Sequence, residues 1–89
     1  MKRTYLEVTY RQGRPIAAYL YLPRGKGDKS VRTAKADPGM IIDFAQDGRV
    51  IGVEMTVPTM VTASNLNKVL HELGVPPIAG DDLTPLKAA

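Results

Sequence analysis

The chain contains no cysteine and a single histidine, His71. A disulfide framework and thiol chemistry are therefore excluded, and so is a His- or Cys-rich zinc centre. Long apolar runs are also missing. No stretch approaches the roughly 18 apolar residues that a membrane span needs. Acidic and polar residues interrupt the opening Met1–Val8 run, so it is not expected to act as a secretory signal. These absences make the cytoplasm the default location, with no membrane partner. No Gly-x-Ser-x-Gly or comparable nucleophile signature occurs, and His71 has no Ser or Asp partner placed by spacing. The chain is accordingly expected not to be an enzyme and to use no cofactor.

What remains is enough for one domain. The chain has 89 residues, 44% of them hydrophobic and 24% charged, which suits a small globular protein with a modest core. Charge is unevenly spread. Residues 1–35 hold nine Lys/Arg against Glu7 and Asp28, whereas residues 36–89 hold three against seven acids. Such asymmetry marks either a basic contact face or two ends that neutralise each other in the fold.

Alternation of apolar and polar residues dominates the first half. Tyr5–Tyr10 and Pro15–Leu22 both read as strands. A three-residue loop, Gln12–Arg14, pairs Tyr10 with Ile16, Val8 with Ala18 and Leu6 with Leu20, apolar against apolar. Pro23–Ser30 reads as a mobile loop, and Val31–Ala36 as a short strand with Arg32 and Lys35 outward. The strongest local signal is Met40–Ala45, Asp47-Gly48, then Val50–Val57. Asp-Gly between alternating runs predicts a two-residue type I′ turn. That turn pairs Phe44 with Ile51, Ile42 with Val53 and Met40 with Met55 on one face. The other face receives Asp43 opposite Gly52 and Ile41 opposite Glu54.

Pro58 ends the strand region. Thr62 or Ser64 can cap a helix of about ten residues that carries Leu66, Val69, Leu70 and Leu73 on one stripe and stops at Gly74. The expected fold class is α+β, an antiparallel sheet of four to five strands built from consecutive hairpins, with one C-terminal helix. The domain is expected over 1–77, and 78–89 as a flexible tail whose Ile78, Leu83 and Leu86 can pack on a partner.

Three sets of residues are candidates for function. Asp43 and Glu54 fall diagonally across one sheet face, roughly 7 Å apart, with Gly52 leaving room beside Asp43. Two carboxylates so placed can hold a divalent cation or share a proton, although polar residues on an exposed sheet face need no such role. Arg24, Lys26, Lys29, Arg32 and Lys35 crowd one stretch and suit a nucleic-acid backbone. The plainer reading is a solvated loop. Tyr5, Tyr19 and Tyr21 fall on the face opposite Leu20 and form a second apolar surface, suited to a homodimer contact or a protein partner.

The strand Ile16–Leu22 followed by Gly39-Met40-Ile41-Ile42-Asp43-Phe44-Ala45-Gln46-Asp47-Gly48-Arg49-Val50-Ile51-Gly52-Val53-Glu54-Met55 resembles a family of small bacterial proteins catalogued as domain of unknown function 2283. The resemblance covers about residues 5–57. Members typically carry aspartates in and just before the first of these strands. This chain has Arg14-Pro15-Ile16-Ala17-Ala18 there, so no role of those acids carries over. The family brings no established activity. Some members are encoded beside small putative toxins, and the resemblance thus implies an antitoxin-like or other partner-binding role. The leading expectation is a non-catalytic protein-interaction module. The alternative is a nucleic-acid-binding accessory protein that uses the basic 24–35 segment.

Overall fold

The computed structural model describes residues 4–87, without the side chains of residues 81, 84, 86 and 87. Five strands form one antiparallel sheet: β1 (Tyr5–Arg11), β2 (Arg14–Tyr21), β3 (Arg32–Ala36), β4 (Met40–Phe44) and β5 (Val50–Met55). Their order across the sheet is β1-β2-β5-β4-β3. Three neighbouring pairs are hairpins. The fourth pair, β2 with β5, joins the two halves through Ala18–Met55 and Leu20–Val53. The segment 22–31 therefore crosses the end of the sheet to reach the far edge. Among the described residues a single α-helix, α1 (Ala63–Glu72), follows the sheet, and the α+β class is as expected.

The β1–β2 and β4–β5 hairpins keep their interior pairs and change their turns. In the first, Leu6–Leu20 and Val8–Ala18 pair as expected. The turn, however, has two residues, with Gln12 at φ 53° and Gly13 at φ 78°. A shift after Thr9 pairs Tyr10 with Pro15 and leaves Ile16 as the extra residue, 47% exposed. The bulge supplies the residue that the shorter turn removes, so the core register survives.

The second hairpin does the reverse. Met40–Met55 and Ile42–Val53 pair as expected, but Phe44 faces Val50 instead of Ile51. Only Gly48 has positive φ, at 91°. The Gly48 N–H donates to the Ala45 carbonyl at 2.9 Å, and the Ala45 N–H to the Arg49 carbonyl at 2.9 Å. This is a three-residue connection with the glycine in the left-handed position. The expected Asp47 conformation is overridden because its carboxylate accepts from the Arg49 backbone N–H at 3.1 Å and from Arg49 Nε at 2.6 Å, which favours an Asx-type turn.

The core lies on one face of the sheet. Ala18, Leu20 and Leu22 from the β2 region meet Met40, Ile42, Phe44, Val53 and Met55, with Leu66, Val69 and Leu70 of α1 packed on them. Helix α1 begins as the sequence requires. Thr62 accepts from the Asn65 N–H at 3.1 Å, and Asn65 accepts from the Thr62 N–H at 2.9 Å, satisfying two orphan donors reciprocally. It ends with Gly74 at φ 73°, while the Val75 N–H donates to the Leu70 carbonyl and the Gly74 N–H to that of His71, a Schellman closure.

The segment expected as a flexible tail contains structure. Gly80–Lys87 forms a 3₁₀ helix, and Leu83 is 2% exposed within the core cluster. Tyr10 Oη donates to the Pro85 carbonyl at 2.5 Å. Leu86, expected beside Leu83 as a partner contact, lies outside the described side chains. Among the described residues no helix is long and apolar enough to cross a membrane.

Candidate functional site

The sheet face opposite the helix carries the chemistry. Pairing places residues on it in rows across the strands. One row reads Glu7, Tyr19, Glu54, Ile41, Lys35, and the next reads Tyr5, Tyr21, Gly52, Asp43, Thr33. The tyrosines set its relief. Tyr5 and Tyr21 stack with ring centroids 4.5 Å apart and planes at 14°, and Tyr19 lies 4.6 Å from Tyr21 at 53°. Such pairs gain roughly 0.5–1.5 kcal/mol beyond burial. The Arg24 guanidinium stands over Tyr21 at 5.4 Å and donates to the Ile51 carbonyl at 2.6 Å. Its Nε is buried without a hydrogen-bond partner.

Tyr19 decides what the expected carboxylate pair can do. Its hydroxyl donates to Asp43 Oδ2 at 2.5 Å, and Ser30 Oγ donates to Asp43 Oδ1 at 2.9 Å. Asp43 is thus held by two hydroxyls. The space expected beside it over Gly52 is filled. A Cβ at residue 52 would lie 2.1 Å from Tyr19 Oη. Glu54 shares the face with Asp43 on the expected diagonal and is exposed. Among the described residues no three His, Cys, Asp or Glu side chains group as a metal-binding set.

Burial of the phenol, reinforced by the Asp43 carboxylate it bonds, pushes the Tyr19 hydroxyl up to about 12. Arg24 acts in the opposite direction and is outweighed. The Tyr21 hydroxyl is also raised, through burial and then through its 3.2 Å bond to Glu7. A folded pKa above the unfolded value of 10 gives stability that is complete below pH 10 and lost as pH rises through 12. Alkaline titration followed by tyrosine ultraviolet absorbance is therefore expected to show Tyr19 ionising late. Tyr19→Phe should remove that step and flatten the loss of melting temperature between pH 10 and 12. An unchanged profile in the variant would refute the assignment.

The basic residues do not converge. Arg24 is turned onto Tyr21, while Lys26 and Lys29 stand exposed on the crossing segment. Arg32 pairs with Phe44 and lies over its ring at 3.9 Å on the core side, its stem covering the edge of the core. Lys35 pairs with Ile41 on the tyrosine side. Three residues of separation on a strand place Arg32 and Lys35 on opposite faces. Asp28 interrupts the run. It accepts from the Gly25 N–H and from Arg49, both at 2.8 Å. Those two hydrogen bonds hold its carboxyl below the usual range.

Sequence reasoning brought Tyr5, Tyr19 and Tyr21 to one face but missed Glu7, Ser30 and the inward turn of Arg24. Glu7 was within reach, since pairing Leu6 with Leu20 already sets it opposite Tyr19. Ser30 had no signal, because a crossing loop has no periodicity. A cleft of about 620 Å³ lies on the helix side of the sheet, among Leu6, Leu22, Leu70, Val75, Pro77 and Ile78, and borders the tyrosine face at Tyr5.

Residues 17–56 match a family model described as protein of unknown function (DUF2283). The match spans just under half of the chain and is narrower than the 5–57 read from sequence. It holds Tyr19, Tyr21, Arg24, Asp43, Gly52 and Glu54, and leaves Tyr5, Glu7 and α1 outside. No curated protein and no solved structure matches the chain.

Proposed function

We propose that the protein is a non-catalytic interaction module that docks another protein on its tyrosine face. The observation that carries this reading is the Tyr5–Tyr21–Tyr19 stack on a sheet face that α1 leaves open. Tyrosine gives large contact area with few rotors and a polar tip, the properties that enrich it in binding hot spots. The carboxylate nearest the rings is occupied by Tyr19 and Ser30, which favours a structural role for Asp43 over acid–base work. An antitoxin-like role is one form of such a module.

The test is affinity capture from cell extract with the wild-type chain, a Tyr5→Ala/Tyr21→Ala variant and a Lys26→Ala/Lys29→Ala variant. Loss of a hot-spot tyrosine weakens binding by about 2 kcal/mol or more. A protein held by the wild type and by the lysine variant should be lost from the tyrosine variant. The variant's melting curve must first show that it is folded. An unchanged capture in the tyrosine variant overturns the reading. Capture of nucleic acid that fails in the lysine variant replaces it with the basic-segment alternative.

A further inference from the structure

The tyrosine face has a charge pattern that selects its occupant. This inference rests on the docking reading above and names the chemistry of the docked protein. The β1-β2-β5 register sets Glu7 and Glu54 on either side of Tyr19, about 10 Å apart at two strand spacings. Both are exposed. Among the described residues neither pairs with a cation, since the ion pairs present are those of Arg49 with Asp28 and Asp47. Beside this row Tyr5 is 41% exposed and lies stacked on Tyr21.

This half of the face already holds one guanidinium, that of Arg24 over Tyr21, and the two unpaired carboxylates Glu7 and Glu54 outnumber it, so a second cation is still attracted. Aromatic rings attract cations through their quadrupole, and flanking carboxylates add Coulomb attraction. Lys35 ends the same row on the far edge strand. It repels a basic occupant there and confines it to the β1-β2-β5 half. Width favours a segment: β1 to β5 is two strand spacings, about 10 Å, which one extended chain with its side chains covers.

We propose that this half of the face binds a basic, extended segment of another protein and seats an arginine or lysine side chain on the tyrosine stack between Glu7 and Glu54. The test is a titration of isotope-labelled protein at physiological salt with hexa-arginine, hexalysine and hexaglutamate peptides, followed by amide chemical shifts. Hexa-arginine should move Glu7, Tyr19, Tyr21 and Glu54. A Glu7→Gln/Glu54→Gln variant, altered only at exposed carboxylates, should bind it about tenfold more weakly or worse.

Equal affinity in that variant overturns the proposal, as do shifts centred on Asp47, Glu72 and Asp82, which would mark diffuse attraction to acids. Hexaglutamate acting on the tyrosine signals overturns the cationic partner while the docking face stands. The same holds if those signals move with protein concentration alone, which would make a second copy the occupant. If no peptide moves them and the Tyr5→Ala/Tyr21→Ala variant captures as the wild type does, both readings fall.

Discussion

Gly52→Ala is expected to lower stability by about 2–5 kcal/mol, and the loss should vanish when Tyr19 is also replaced by Ala. The reason is local. An added Cβ would lie 2.1 Å from Tyr19 Oη and 2.4 Å from its Cζ and Cε1. The ring must swing away, and its bond to Asp43 breaks. Overpacking costs roughly 1–3 kcal/mol, and a lost hydrogen bond to a charged group roughly 1.5–3 kcal/mol. Replacing a strand glycine returns roughly 0.5–1 kcal/mol of chain entropy. Crowding therefore outweighs propensity while the ring is present. With Tyr19→Ala in place only the entropy term remains, and Gly52→Ala becomes neutral or stabilising. Thermal melts of the four proteins check this, with roughly 4–8 °C per kcal/mol for a domain of this size. An equal penalty in both backgrounds would show that the glycine serves the backbone and not the ring.

Leu83→Ala should cost about 2–5 kcal/mol, the range for truncating a buried leucine. Its side chain is 2% exposed among Leu66, Leu70 and the sheet residues. A domain of 89 residues has about 4–13 kcal/mol of total stability, so this one change removes a large share. Ending the chain after Ala79 should cost at least as much, because it also deletes the acceptor of the Tyr10 hydroxyl at Pro85. Asp82→Ala, one residue and a third of a 3₁₀ turn away at an exposed position outside the core, should stay within about 0.5 kcal/mol. Urea unfolding of the three variants makes the comparison. A Leu83→Ala midpoint equal to that of wild type would return 80–87 to the status of a tail.

Both expectations concern features that the sequence under-specifies. Gly52 in a strand was readable as room beside Asp43. That the room belongs to Tyr19 depends on β2 lying next to β5, and no local pattern encodes that adjacency. Leu83 sits between Asp81-Asp82 and Pro85, a composition that argues for a loop. Its burial follows from docking on an apolar face supplied by other elements.

Much was nevertheless local. The interior pairs Leu6–Leu20, Val8–Ala18, Ile42–Val53 and Met40–Met55 follow from period-two alternation, because a one-residue slip would expose every core side chain. The capped helix follows from Thr62, its apolar stripe and Gly74, since caps and 3.6-residue spacing act within a few residues. The gathering of Tyr5, Tyr19 and Tyr21 on one face also follows from alternation. Tertiary structure alone decided the bulges that reconcile each turn with its core, the β2–β5 junction, the capture of Asp43 by Tyr19 and Ser30, and the placing of Glu54 beside Tyr19. Those features join residues distant in the chain, and contacts of that kind are chosen by packing and by hydrogen-bond satisfaction, which no short stretch of sequence contains.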